Sequence, residues 1–234
     1  MELIEPAGQR RHAIRAAFPA TIPVMTGYVC LGIAYGFLMS NAGYGPLWVA
    51  AVSMIVYSGS IQFVGIGLLT APFAPVQAGL IAVMVGARHM FYALSFLDKY
   101  RDMGRVRPLL ICMLTDETFS ILSALTPPPG VSERDFCFWV SLLDYSYWTI
   151  GGVLGAALGE VLTFNTTGMD FALTALFVVL FLEQWKKKEN RLPGLIGLGC
   201  TLVCLAVFGA DNLVIPAMIL VTAVLLGGRK WLCG

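Results

Sequence analysis

The chain has 234 residues, 58% of them hydrophobic and 12% charged, with a net charge of +1 and a mean hydropathy of +0.79. A soluble domain carries about 25% charged residues, so this sequence lacks the polar surface of one, and nothing outside its apolar stretches could form a separate soluble domain. No basic stripe interleaved with aromatics calls for nucleic acid, and two histidines with ten dispersed methionines form no metal-ligand cluster.

A membrane-spanning helix needs about 20 mainly apolar residues. In chain order, eight stretches qualify: 20–40, 47–70, 75–97, 108–126, 136–159, 169–183, 193–209 and 212–228. The expected fold class is therefore all-α, one polytopic transmembrane bundle over 1–234, with residues 1–18 as a basic cytoplasmic arm. Arg10, Arg11 and Arg15 precede the first stretch as in a signal peptide, but the run is long and lacks a small-residue cleavage site, so it reads as a retained helix. The second stretch contains YSGSIQFVGIG (57–67), whose Ser58, Gly59, Ser60, Gly65 and Gly67 weaken a helix. It is expected either to cross whole or to break near 57–67.

If all eight cross from a cytoplasmic N-terminus, Arg10, Arg11, Arg15, Arg134, Lys186, Lys187, Lys188, Arg191, Arg229 and Lys230 lie inside. Lys99, Arg101, Arg105 and Arg107 lie outside. This bias places both termini in the cytoplasm, with the loop 97–107 as the exception. Tyr28–Gly36 and Tyr147–Gly155 both begin with Tyr and place Gly four and eight positions later. Such glycines read either as an internal repeat or as helix-packing surfaces. Six cysteines, Cys30, Cys112, Cys137, Cys200, Cys204 and Cys233, form no C-x-x-C pair and suggest neither a zinc site nor a disulfide framework.

Arg88, His89, Asp116 and Glu117 lie deep in apolar stretches, where a charge costs about 2.5–3.5 kcal/mol on insertion scales. Arg88 precedes the 97–107 loop and Asp116 follows it by similar lengths. At 1.5 Å per residue both sit about 14–15 Å from that loop, close to the midplane of a 30 Å core. Opposite charges at matched depth can pair. Adjacent residues on a helix diverge by about 100°, so Asp116 and Glu117 cannot both face Arg88 in the same way. Tyr92 shares the Arg88 face, and His89 can carry a proton near neutral pH. Asp144 is a third acid within an apolar stretch, placed either at the same site or near an interface. Tyr57, Ser58, Gly59, Ser60 and Gln62 form a second candidate, because an opened helix exposes backbone groups that hold a carboxylate or coupling ion. A cation and acids at one level complement a zwitterion, and the surrounding apolar residues suit a small neutral amino acid.

YSGSIQF (57–63), ARHMFY (87–92) and LTDETF (114–119) resemble the AzlC family of branched-chain amino acid permeases, whose motifs read Y-A-G-A-x-Q-F, x-R-H-x-x-Y and L-T-D-E-x-F. The resemblance implies a bacterial inner-membrane exporter of valine, leucine, isoleucine and methionine with a small membrane partner subunit of the AzlD type. The titratable residues add the expectation of proton-gradient driving, with His89, Asp116 or Glu117 changing protonation, and no cofactor is expected. By position the resemblance implies substrate contacts at Tyr57, Ser58, Gly59, Ser60, Gln62, Arg88, Tyr92 and Thr115. Ion pairing or proton coupling is expected at Arg88, His89, Asp116, Glu117 and Asp144. Asp144 departs from the family pattern, which leaves another amino acid or an amine open as substrate. Rival readings are a channel for a small organic ion and an intramembrane protease. The protease would need a G-x-S-G, Y-D or G-x-G-D motif, and none is present.

Overall fold

The computed structural model describes residues 7–72, 74–162, 178, 181, 182, 185, 188–209 and 213–228. Regular structure among the described residues is helical throughout. It divides into two compact units, Met1–Thr167 and Gly168–Gly234. The first contains α1 (Ala7–Asn41), α2 (Pro46–Val56), α3 (Gly59–Thr70), α4 (Pro75–Ser95), a 3₁₀ turn (Gly104–Val106), α5 (Arg107–Cys112), α6 (Asp116–Ala124) and α7 (Glu133–Val161). The second contains α8 (Lys188–Phe208) and α9 (Val214–Gly227), which pack on one another.

Among the described residues, three helices are long and apolar enough to cross a bilayer: Arg11–Asn41, Ala78–Ser95 and Arg191–Phe208. Large apolar side chains such as Leu47, Ile55, Val76 and Val83 point outward, a surface that lipid solvates and water does not. The chain is an all-α membrane protein.

α1 starts at Ala7 and takes in much of the expected 1–18 arm. Ala13, Ala17, Thr21, Tyr28, Gly32, Tyr35, Gly36 and Met39 form one buried stripe at helical spacing, while Pro19 and Pro23 lie on the exposed side. Packing therefore continues the helix through two prolines that would otherwise favour a boundary. The 47–70 stretch is two helices separated at Tyr57–Ser58. At 1.5 Å per residue α2 and α3 are each about 17–18 Å long, half a bilayer core. The 108–126 stretch, expected as one continuous helix, is also interrupted, at Met113–Thr115. Thr115 is the reason: its side chain accepts the Thr118 N–H, and Asp116 and Glu117 occupy the first turn of α6, a helix start by both capping and charge. The expected segment 169–183 lies largely outside the described residues.

α1 and α7 are the scaffold of the first unit. α7 begins at an N-cap, where Ser132 accepts the Asp135 N–H at 3.2 Å. It buries a stripe running from Phe136 to Ala156. Gly32 and Gly36 of α1 meet the α7 backbone at Gly151, Gly152 and Ala156, and Gly155 of α7 meets the α1 backbone at Ile33. A Cβ on Gly32 would lie 2.9 Å from the Gly152 nitrogen, and one on Gly36 would overlap the Gly152 carbonyl. The paired glycine spacings of Tyr28–Gly36 and Tyr147–Gly155 thus form one packing seam. Gly36→Ala is expected to destabilise the protein by about 1–3 kcal/mol through overpacking. Gly27→Ala, with open space around its Cβ, should leave stability unchanged or slightly raised; thermal unfolding in detergent compares the two.

The loop after α4 folds inward. Phe96, Tyr100 and Met103 join Leu110, Leu114, Leu122, Phe136 and Val140 in a buried apolar cluster. Lys99 in this loop donates to the Leu122 carbonyl at the end of α6 and lies 3.6 Å from Glu133. One of the four basic residues that run against the charge bias is therefore a helix cap.

Candidate functional site

Arg88 of α4 joins the two interrupted helices. Its Nη2 donates to Ser60 Oγ in the first turn of α3 at 2.7 Å. Its Nη1 pairs with Asp116 Oδ2 in the first turn of α6 at 3.0 Å. Opposite charges on the stretches flanking 97–107 thus meet directly, although the second stretch is not the single helix expected. Both side chains remain partly exposed. Arg88 Nε and Asp116 Oδ1 have no partner, so each keeps hydrogen-bonding capacity for a ligand.

The two adjacent acids diverge, as helical geometry requires. Glu117 turns away from Arg88 to accept the Tyr28 hydroxyl of α1 at 2.7 Å. The same hydroxyl is 2.7 Å from Thr115 Oγ1, Thr115 donates to Thr118 Oγ1 at 3.2 Å, and Thr118 donates to Asp144 Oδ2 of α7 at 2.7 Å. Asp144 is fully buried. Of its two expected settings the structure shows the interior one, hydrogen-bonded to α6 and away from either end of α7.

The α2–α3 interruption is held from behind. Tyr57 adopts a left-handed backbone (φ 22°), a costly conformation for a residue with a Cβ. Its ring is buried against Tyr145 at 4.7 Å between centroids, and its hydroxyl interacts electrostatically with Asp144, Glu117 and Tyr28. Tyr145 in turn donates to the Met54 carbonyl at 2.9 Å, satisfying the open end of α2. Gln62 donates to the Val52 carbonyl at 3.2 Å and accepts the Trp148 indole N–H at 2.6 Å. Its amide therefore spans the break as a brace. Gly59 lies close under the Trp148 ring, where a Cβ would sit 3.1 Å from it, tighter than ordinary packing. Ser58 is the N-cap residue of α3 and its hydroxyl is buried without a partner.

Tyr92 stacks on Phe119 of α6 at 4.7 Å and interacts with Asp116. His89 meets Tyr92 edge-on at 6.1 Å between ring centroids. Residues singled out from sequence at Tyr57–Gln62, Arg88–Tyr92, Thr115–Glu117 and Asp144 thus occupy adjoining elements of the first unit. Sequence reasoning missed Tyr28, Thr118 and Trp148. Thr118 stands inside the quoted LTDETF motif, and Tyr28 and Trp148 stand in the two glycine-spaced segments. Each was masked by the stronger residues beside it.

The AzlC protein family matches residues 23–162, which contain every residue of this site. The chain belongs to the AzlC family. The "Branched-chain amino acid transport protein AzlC" of Bacillus subtilis is 41% identical over 218 residues, covering 93% of this chain and 86% of that protein. An "Uncharacterized membrane protein" of Haemophilus influenzae is 40% identical over 208 residues, covering 88% and 85%. The more distant "Inner membrane protein YgaZ" of Escherichia coli is 26% identical, covering 73% and 72%. No solved structure matches this AzlC-family chain.

Proposed function

We propose that this chain is a secondary transporter of small apolar amino acids, exporting valine, leucine, isoleucine and methionine across the bacterial inner membrane. The observation that carries the reading is Arg88 bridging the open ends of two interrupted helices, α3 and α6. Half-helix N-termini in transporters attract a substrate carboxylate. The first-turn N–H groups of α3, with no intrahelical partner, and the Ser58 hydroxyl suit that role. The free Asp116 oxygen suits the ammonium. The family membership and the printed name of the Bacillus subtilis relative support a branched-chain substrate.

In this reading the substrate lies between Tyr57–Ser60 and the Arg88–Asp116 pair, and the two interruptions are where the halves of each helix move against one another. A proton gradient drives export, a small AzlD-type subunit completes the complex, and both termini are cytoplasmic. The burial of Asp144 beside this site favours one second reading, transport of another small amino acid or an amine.

The test is flux of labelled leucine in proteoliposomes holding this chain with and without the small subunit. Flux that saturates with leucine and accelerates under an imposed pH gradient supports the reading. Linear, non-saturating flux points to a pore, and saturable flux indifferent to the pH gradient removes the proton coupling. Competition by other amino acids and by simple amines orders the substrates.

A further inference from the structure

Four oxygen–oxygen contacts connect two carboxyl groups through the interior of the first unit: Glu117 to Tyr28, Tyr28 to Thr115, Thr115 to Thr118, and Thr118 to Asp144, at 2.7, 2.7, 3.2 and 2.7 Å. Tyr28, Thr115, Thr118 and Asp144 are all at least nine-tenths buried. Each contact needs one hydrogen between its oxygens. A hydroxyl supplies one hydrogen and an ionised carboxylate none, so the three hydroxyls supply three hydrogens for four contacts. With both acids ionised, Tyr28 spends its hydrogen on Glu117 and Thr115 spends its own toward Asp144. Two oxygens are then left facing each other without a hydrogen, at 2.7 Å across the Tyr28–Thr115 contact or, when Thr115 turns its hydrogen to Tyr28 instead, at 3.2 Å across the Thr115–Thr118 contact. With both acids protonated there is one hydrogen too many. The chain closes with one added proton, and it closes equally well with that proton on either acid.

We propose that Glu117 and Asp144 hold a single proton between them and exchange it along Tyr28, Thr115 and Thr118. In one direction Glu117 gives its proton to the Tyr28 oxygen while Tyr28 passes its own to Thr115. Thr115 passes its proton to Thr118, and Thr118 passes its proton to Asp144 Oδ2. One O–H bond breaks and one forms at each hydroxyl, one proton leaves one carboxyl and reaches the other, and no electrons change hands. Two carboxyl groups that share a proton titrate as a pair.

The surroundings separate the two ends. Glu117 accepts from Tyr28 of α1 and is acted on electrostatically by Arg88 and Tyr92 of α4, by its neighbour Asp116 and by the Tyr57 hydroxyl at the α2–α3 break. Asp144 is faced by Thr118 and Glu117 of α6 and by the Tyr57 hydroxyl at the α2–α3 break. Tyr145 adjoins it on α7. The second oxygen of Asp144 and the Tyr57 hydroxyl are both buried without a hydrogen-bond partner. Arg88 and Asp116 thus act on the Glu117 end, while the Tyr57 hydroxyl at the α2–α3 interruption acts on both ends. Asp116, already paired with Arg88, stands outside the relay, as does His89. The shared proton stands on these contacts alone; its use in coupling rests on the transport reading above.

Infrared spectroscopy of the full chain in lipid, which resolves the carbonyl stretch of a protonated carboxyl from that of a carboxylate, is the test. Wild type at neutral pH should show one protonated buried carboxyl per chain. Glu117→Gln and Asp144→Asn should each remove it entirely, because either amide supplies the fourth hydrogen. Asp98→Asn, at an exposed position, should not change it. In wild type alone, the band must titrate as one proton, which keeps the test decisive if a variant fails to fold. No band in wild type, two equivalents, or a band lost in only one of the two variants would overturn the proposal. Should the band behave as expected while wild-type proteoliposomes neither exchange nor accumulate amino acids, the transport reading falls and the relay stands.

Discussion

Arg88→Ala is expected to reduce leucine flux by roughly 10–100-fold while leaving a protein that inserts and folds. The substitution removes two contacts at once, to Ser60 and to Asp116. A hydrogen bond to a charged group is worth about 1.5–3 kcal/mol, and each 1.4 kcal/mol is about tenfold in an equilibrium constant. The pair is partly exposed, which reduces the penalty of leaving Asp116 unpaired relative to a fully buried charge. Folding should therefore tolerate the change better than transport does. Exchanging the charges, Arg88→Asp with Asp116→Arg, separates the two roles. An ion pair that only fixes two helices would be restored in function as well as stability by the exchange. A pair that orients a zwitterion would recover stability and not flux. Unfolding in detergent and leucine flux, read on the same preparations, distinguish these outcomes.

Trp148→Ala is expected to destabilise the first unit by about 3–5 kcal/mol, the cost of truncating a buried aromatic. Its ring contacts Tyr28, Tyr35 and Phe63 at 5.4, 6.2 and 6.5 Å between centroids, and it closes on Gly59. Its indole N–H holds Gln62 across the α2–α3 break. Trp148→Phe keeps most of the packing and removes only the donor, leaving the Gln62 oxygen unsatisfied at a cost of about 1–3 kcal/mol. Thermal midpoints should fall in the order wild type, Trp148→Phe, Trp148→Ala. A Trp148→Ala protein as stable as wild type would show that the aromatic cluster does not brace the interruption.

The membrane class and helical makeup were legible because hydropathy dictates them. Spanning segments must be apolar, and their backbones must satisfy themselves. The ion pair was legible for a related reason: Arg88 and Asp116 are too expensive in lipid to lack a partner, and equal distances from one loop left few candidates. The second interruption was less visible. Thr115 followed by Asp116 and Glu117 is a helix-start signal, but it stands in an apolar stretch of spanning length, and hydropathy overrode capping. The early start of α1 was hidden by Arg10, Arg11 and Arg15, which end the apolar stretch although the helix continues through them with Ala13 and Ala17 buried. The hydrogen-bonded path from Glu117 to Asp144 could not be read at all. It joins residues from α1, α6 and α7, and no periodicity within one helix reports which hydroxyls meet across three.

Gln62 shows how residue type and role can separate. An amide at membrane depth invites a ligand, yet here both its donor and acceptor are engaged by Val52 and Trp148. The atoms that keep free capacity are instead Arg88 Nε, Asp116 Oδ1 and the Ser58 hydroxyl, on the three elements that Arg88 draws together.

The most direct test of this assignment is a structure determined with leucine bound. The account requires the amino acid to lie where α3 and α6 begin, its carboxylate against the first turn of α3 and Arg88, and its ammonium against Asp116. Leucine bound elsewhere, with the Arg88 contacts to Ser60 and Asp116 undisturbed and no ligand atom near them, would contradict it.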